Sequence, residues 1–137
     1  MKLTVAAELA IRGVLVLAGK HGCGPVTLSA ICEERNLPKQ YLTKIFASLS
    51  RQGLIRPIRG KNGGYLLAQN PENITLLDII EAVEGPIALN FCQHDPPQCD
   101  QTDCPVRPIW TDLQSIIQKK LAEKTLADYV EELSKHD

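Results

Sequence analysis

PKQYLTKIFASLSRQGLIRPIRGKNGGYLL, residues 38–67, carries the pattern from which the fold is read. Its first half sets Leu42, Ile45, Phe46 and Leu49 at i, i+3, i+4 and i+7, the period of an amphipathic helix running to Gln52. Pro38 stands where a first helical residue is expected, and Gly53 fits the left-handed position that ends a helix. The second half predicts two short strands, 54–59 and 65–68. Gly60-Lys61-Asn62-Gly63-Gly64 joins them, and its Asn-Gly pair favours a hairpin.

Upstream, residues 3–18 read as a helix with Leu3, Ala6, Ala10, Val14 and Leu17 on one face. A glycine-rich turn, 20–25, leads to Thr27, the expected N-cap of a short helix bearing Leu28, Ile31 and Cys32. Asn36-Leu37 forms a tight break. Helix, tight turn, helix and basic hairpin is the order of a winged helix-turn-helix. Downstream, Thr75 and Asp78 open a helix with Leu76, Ile79, Ile80 and Val83 as its stripe. An irregular loop spans about 85–105. A longer apolar helix starts near Pro108, and Thr125 opens a last one.

The formal net charge of −1 hides a strong asymmetry. Residues 35–71 hold Arg35, Lys39, Lys44, Arg51, Arg56, Arg59 and Lys61 and no acid, a local charge of +7. The electrostatic footprint of a nucleic-acid site is local in this way. On the polar face of the second helix, Lys39, Gln40, Thr43 and Lys44 are the candidates for base edges, with Ser48 and Arg51 further along. Arg59 and Lys61 on the wing face the flanking backbone or minor groove. Gly60, Gly63 and Gly64 permit the close approach a tight wing tip needs. Tyr41 is either a phosphate-bonding hydroxyl or a packing ring. Arg35 and Arg56 read as solvated surface charges.

The loop carries Cys92, Cys99 and Cys104 within a run that also holds His94, Asp95, Asp100 and Asp103. Three soft donors in so polar a segment suit zinc or an iron–sulfur cluster, with one position left to another ligand. Cys32 lies on an apolar stripe and reads as core, whereas Cys23 reads as a free surface thiol. Five cysteines are an odd number, and Glu8 and Arg12 interrupt the apolar start, against an export signal or a membrane span. Reduced thiols in the cytoplasm are therefore expected.

With these elements in place, the chain resembles the bacterial iron–sulfur winged-helix transcription regulators of the IscR and NsrR type. The matching residues are Met1-Lys2-Leu3-Thr4, Tyr41-Leu42 with Phe46, the wing from Arg59 to Leu67, the cysteine triplet and Trp110. The resemblance implies a mainly α fold with a small β-hairpin, a winged helix-turn-helix followed by a long dimerisation helix. It implies a cytoplasmic homodimer on a palindromic operator in double-stranded DNA, commonly a repressor. Each subunit would carry a [2Fe–2S] or [4Fe–4S] cluster on Cys92, Cys99 and Cys104.

One branch of these regulators places a histidine ligand three residues after the last cysteine. Here that residue is Arg107, which cannot ligate. Another branch uses a carboxylate on the partner's first helix, which implies Glu8; an ion pair with Arg12 is its structural alternative. His94 is the runner-up ligand, and Asp103 follows it. The expected partition is a DNA-binding unit at 1–84, the cysteine loop at 85–105, and dimerisation and C-terminal helices at 106–137. Two readings compete with a cluster sensor: a zinc-stabilised winged-helix regulator, and a metal-free regulator working by disulfide formation. Enzyme chemistry is not expected, since no Cys-x-x-Cys pair, glycine-rich cofactor fingerprint or Ser/His/Asp arrangement is present.

Overall fold

The computed structural model describes residues 2–136. Met1, where the opening match and the first expected unit begin, and Asp137, where the last unit ends, lie outside the described residues. The chain is mainly helical with one two-stranded hairpin, in the order α1 (Val5–Gly19), α2 (Leu28–Arg35), α3 (Lys39–Arg51), β1 (Ile55–Ile58), β2 (Gly64–Leu67), α4 (Leu76–Glu84), α5 (Arg107–Leu121) and α6 (Leu126–Ser134). Single 3-10 turns, Pro71–Asn73 and Phe91–Gln93, precede α4 and interrupt the cysteine loop.

Helix α1 is the spine of the core. Ala7, Ala10 and Val14 are wholly buried, and the helix packs against α2, α3, α4, α6 and β2. Thr4 caps it, its hydroxyl accepting from the Ala7 N–H at 3.1 Å. The same residue donates from its backbone N–H (2.9 Å) and its hydroxyl (2.6 Å) to Glu84 Oε1. The start of α1 is thereby tied to the end of α4.

The turn between α2 and α3 rests on Asn36 in the left-handed region (φ 52°), a conformation its short polar side chain tolerates. Buried Leu37 donates its N–H to the Cys32 carbonyl at 2.8 Å. Pro38 falls one place outside the helix expected to begin on it. Its extended backbone makes it the N-cap, and its carbonyl accepts from the Leu42 N–H at 3.1 Å. Leu42, Ile45, Phe46 and Leu49 are all buried, as their spacing requires. Full burial of such side chains stabilises by about 1.5–3 kcal/mol each. Gly53 follows the helix at φ 77°.

The strands pair antiparallel with Ile55 opposite Leu67 and Ile58 opposite Gly64. Relative to expectation β2 begins one residue early, because Gly64 pairs with Ile58 and leaves 59–63 as the tip. Val26 and Tyr65 also exchange both backbone hydrogen bonds (3.0 and 2.8 Å), so the wing's base is clasped from a third side. The Tyr65 ring meets Phe46 edge to face at 5.0 Å between centroids. Gly13 of α1 underlies Phe46: a Cβ there would stand 2.8 Å from the ring.

Thr75 and Asp78 form the expected capping box, each side chain bonding the other's backbone N–H (3.2 and 2.9 Å). Of the expected stripe on α4, Ile79 and Ile80 are buried, while Leu76 and Val83 are only partly so. Thr125 and Asp128 form a second box at α6. Although α6 follows α5 in sequence, it packs on α1. Leu126 is wholly buried, and its N–H reaches the Ile74 carbonyl at 2.8 Å. At the corner between α5 and α6, a hydrogen bond from Lys120 holds the Glu123 carboxyl below its ordinary range, and Glu132 holds Lys124 above its own. Helix α5 has no buried residue at all.

Candidate nucleic-acid interface and thiol loop

Burying one face of α3 forces the other outward. Lys39, Gln40, Tyr41, Thr43, Lys44 and Arg51 are all exposed. Tyr41 is 63% exposed, so its ring packs no core within this chain. Lys39 Nζ donates to Ser29 Oγ at 3.2 Å, fastening the head of α3 to α2. Thr43 donates to the Lys39 carbonyl at 3.0 Å, and Arg51 donates to Ser48 Oγ at 3.0 Å. Among the described residues the side chains of Gln40 and Lys44 make no hydrogen bond, leaving their polar ends free.

Arg56, Arg59 and Lys61 are exposed on the wing. The Gly63 N–H donates to the Gly60 carbonyl at 3.1 Å, closing the tip. A Cβ at Gly63 would overlap the Ile58 carbonyl, so this glycine serves the turn's own backbone. Recognition face and wing are contiguous because β1 packs on α3. No acid interrupts the positive charge between Arg35 and Pro71.

The thiol loop is built differently. Cys92, Cys99 and Cys104 are free and half-buried, while Cys32 is buried and Cys23 exposed, as expected. The Cys92 thiol donates to Asn90 Oδ1 at 3.2 Å and accepts from Gln93 Nε2 at 3.3 Å. The donors match a thiophilic metal in kind. Among the described residues, however, no three His, Cys, Asp or Glu side chains are gathered closely enough to hold a metal ion. A metal would require the segments carrying these thiols to close up.

The fourth-ligand candidates lie apart. Glu8 is exposed on α1 and, among the described residues, makes no ion pair with the equally exposed Arg12. His94 lines a cleft of about 500 Å³ together with Lys2, Glu84, Leu89, Ile117 and Leu121. Asp103 is exposed. Arg107, at the non-ligating position, donates from Nη2 to the Gln101 carbonyl at 2.7 Å, and its backbone N–H reaches the Cys104 carbonyl at 3.3 Å.

Sequence reasoning missed three residues that hold this loop: Arg107, Thr111 and Gln114. Thr111 Oγ1 accepts from Gln93 Nε2 at 3.0 Å, and Gln114 Oε1 accepts from the Leu89 N–H at 2.9 Å. Their i, i+4, i+7 spacing was the available signal. On the opposite side of α5, Ile109 is 54% and Ile116 62% exposed, with Leu113 between them. This apolar stripe has no cover in the single chain.

Comparison with known proteins places this arrangement. A family model, Rrf2, described as an iron-dependent transcriptional regulator, matches residues 3–132. The HTH-type transcriptional regulator CymR of Bacillus subtilis is 33% identical over 129 residues, 93% of this chain and 88% of that protein. IscR of Escherichia coli is 30% identical over 130 residues, 95% of this chain and 80% of its own length. The solved structure of B. subtilis CymR, described as a global cysteine regulator, superposes with a TM-score of 0.81 at 32% identity, covering 96% of this chain and 97% of that one. T. potens IscR superposes at 0.82 with 28% identity, covering 100% and 91%. Both relatives share the helical body and the wing, and the chain belongs to the Rrf2 family of winged-helix transcriptional regulators.

Proposed function

We propose that this regulator binds a palindromic operator as a cytoplasmic homodimer and that an iron–sulfur cluster on Cys92, Cys99 and Cys104 sets its affinity, most simply as a repressor. The observation that carries this reading is the pairing of three free, half-buried thiols on one loop with the uncovered apolar stripe of α5. No described helix is long and apolar enough to cross a membrane.

In this reading α3 enters the major groove, with Lys39, Gln40, Thr43 and Lys44 at the bases. Tyr41 and Arg51 bond phosphate, and Arg59, Lys61 and Gly63 bring the wing against the flanking backbone. The stripe Ile109, Leu113 and Ile116 packs on its twin. Cys92, Cys99 and Cys104 would hold the iron, which would give the loop redox-labile chemistry. Glu8 of the partner subunit completes the ligand set, with His94 as the alternative.

The route from loop to reading head runs along α1. Gly85 opens the loop directly after Glu84, which grips Thr4 at the start of α1; further along α1, Gly13 underlies Phe46 of α3. A shift of the loop's stem therefore bears on α1 and, through it, on α3. Two heads must stay about 34 Å apart to engage both half-sites, so a small rotation weakens binding strongly. Gel-shift titrations of cluster-loaded and cluster-free protein on the same operator test the switch. Equal affinities would refute it.

A second reading, control by disulfide formation without metal, draws support from the three free, half-buried thiols carried on one loop. Anaerobic isolation separates the alternatives. Brown protein with visible absorption supports the cluster, colourless zinc-loaded protein a structural zinc, and colourless metal-free protein the thiol switch.

A further inference from the structure

Helix α5 presents three distinct stripes. Trp110, Ile117 and Leu121 are half-buried on one side, and Ile109, Leu113 and Ile116 lie bare on another. The third stripe is polar: Arg107, Thr111 and Gln114, one above the other at i, i+4 and i+7. Each member of that stripe hydrogen-bonds to a different part of the loop (2.7, 3.0 and 2.9 Å). Every thiol lies within three residues of one of these tethers. Cys92 falls between the tethered Leu89 and Gln93, Gln101 lies between Cys99 and Cys104, and the Cys104 carbonyl also accepts from the Arg107 N–H.

We propose that Arg107, Thr111 and Gln114 are positioning residues. They form a seat that holds the two thiol-bearing arms of the loop on one helix face, ready to close on a metal. Seven residues of helix rise about 10 Å, so the seat confines both arms to a short span. Arms held in this way lose less conformational freedom when a metal draws them together, and tethers behind metal ligands typically change affinity by 10–100-fold. Arg107 is then no mere loss of a histidine ligand. Its side chain fixes the Cys99–Cys104 arm from behind, and its buried Nε still lacks an acceptor among the described residues. The inference rests on the metal-sensing reading above.

The test uses the full reduced chain, free of metal, titrated anaerobically with Co²⁺ and followed by the sulfur-to-cobalt charge-transfer band. Thr111→Val with Gln114→Leu is expected to weaken Co²⁺ binding at least about tenfold. Arg107→Ala should do the same, and Lys119→Ala, on a different side of α5, should change nothing. In the metal-free double variant the Leu89 amide should exchange with deuterium roughly three- to tenfold faster, the loss of one modest hydrogen bond, with an unchanged far-ultraviolet spectrum. Wild-type Co²⁺ affinity in the double variant overturns the seat alone. A wild-type chain that takes up no Co²⁺ overturns the metal reading and this inference with it.

Discussion

Helices α3 and α5 are similar in length and both amphipathic in sequence, yet they stand in opposite situations. The apolar face of α3 is sealed against the body of the chain and its polar face is bare. In α5 the polar stripe is occupied by the thiol loop, and the apolar stripe of Ile109, Leu113 and Ile116 is bare while Trp110, Ile117 and Leu121 are half-buried. Amphipathic spacing therefore establishes that a helix has two faces and leaves open what covers either. Inside the domain the cover is the chain's own core. For α5 it is, on our reading, a second copy.

The contrast is broken most directly by matched truncations. Phe46→Ala should cost about 3–5 kcal/mol in urea unfolding, because its ring fills the space above Gly13. Ile116→Ala, made at an exposed site, should change the same unfolding free energy by under about 0.5 kcal/mol when measured on the monomer. Similar losses at both positions would mean that α5 is packed within the chain. Next in size is assembly. Ile109→Asp with Ile116→Asp should convert a dimer into a monomer in sedimentation equilibrium, since buried unpaired carboxylates are poorly tolerated at a seam. A wild-type chain that sediments as a monomer would leave the bare stripe without its proposed partner.

Thr75→Ala should cost about 1 kcal/mol by removing one half of a capping box, and a thermal melt will show it. The smallest effect sharpens the other side of the comparison. Lys44→Ala, on the bare face of α3, should leave stability unchanged and reduce the slope of log affinity against log salt by about one. An unchanged slope would mean that Lys44 neutralises no phosphate, and an unchanged sequence preference would remove it from the bases.

The reading head was largely legible because its determinants are local. Leu42, Ile45, Phe46 and Leu49 encode α3 by spacing alone, and the tip residues encode the hairpin by their turn chemistry. Thr75 and Asp78 announced α4 in the same way. What escaped depends on residues far apart in sequence. The Val26–Tyr65 pairing and the hydrogen bond from the Leu126 N–H to the Ile74 carbonyl each join distant segments, and neither leaves a local pattern. The loop's chemistry was legible from its cysteines, but their spacing carried no information on whether the sulfurs meet. Pro38 was misplaced by one residue because its fixed φ suits both a cap and a first turn.

The clasp of Val26 on Tyr65 has a thermodynamic consequence. A hairpin pinned at its base and stacked on Phe46 meets a duplex with its shape already set, so little chain entropy remains to be surrendered on association. Complexes of this regulator should therefore owe the wing's contribution to slow dissociation rather than to folding upon the DNA.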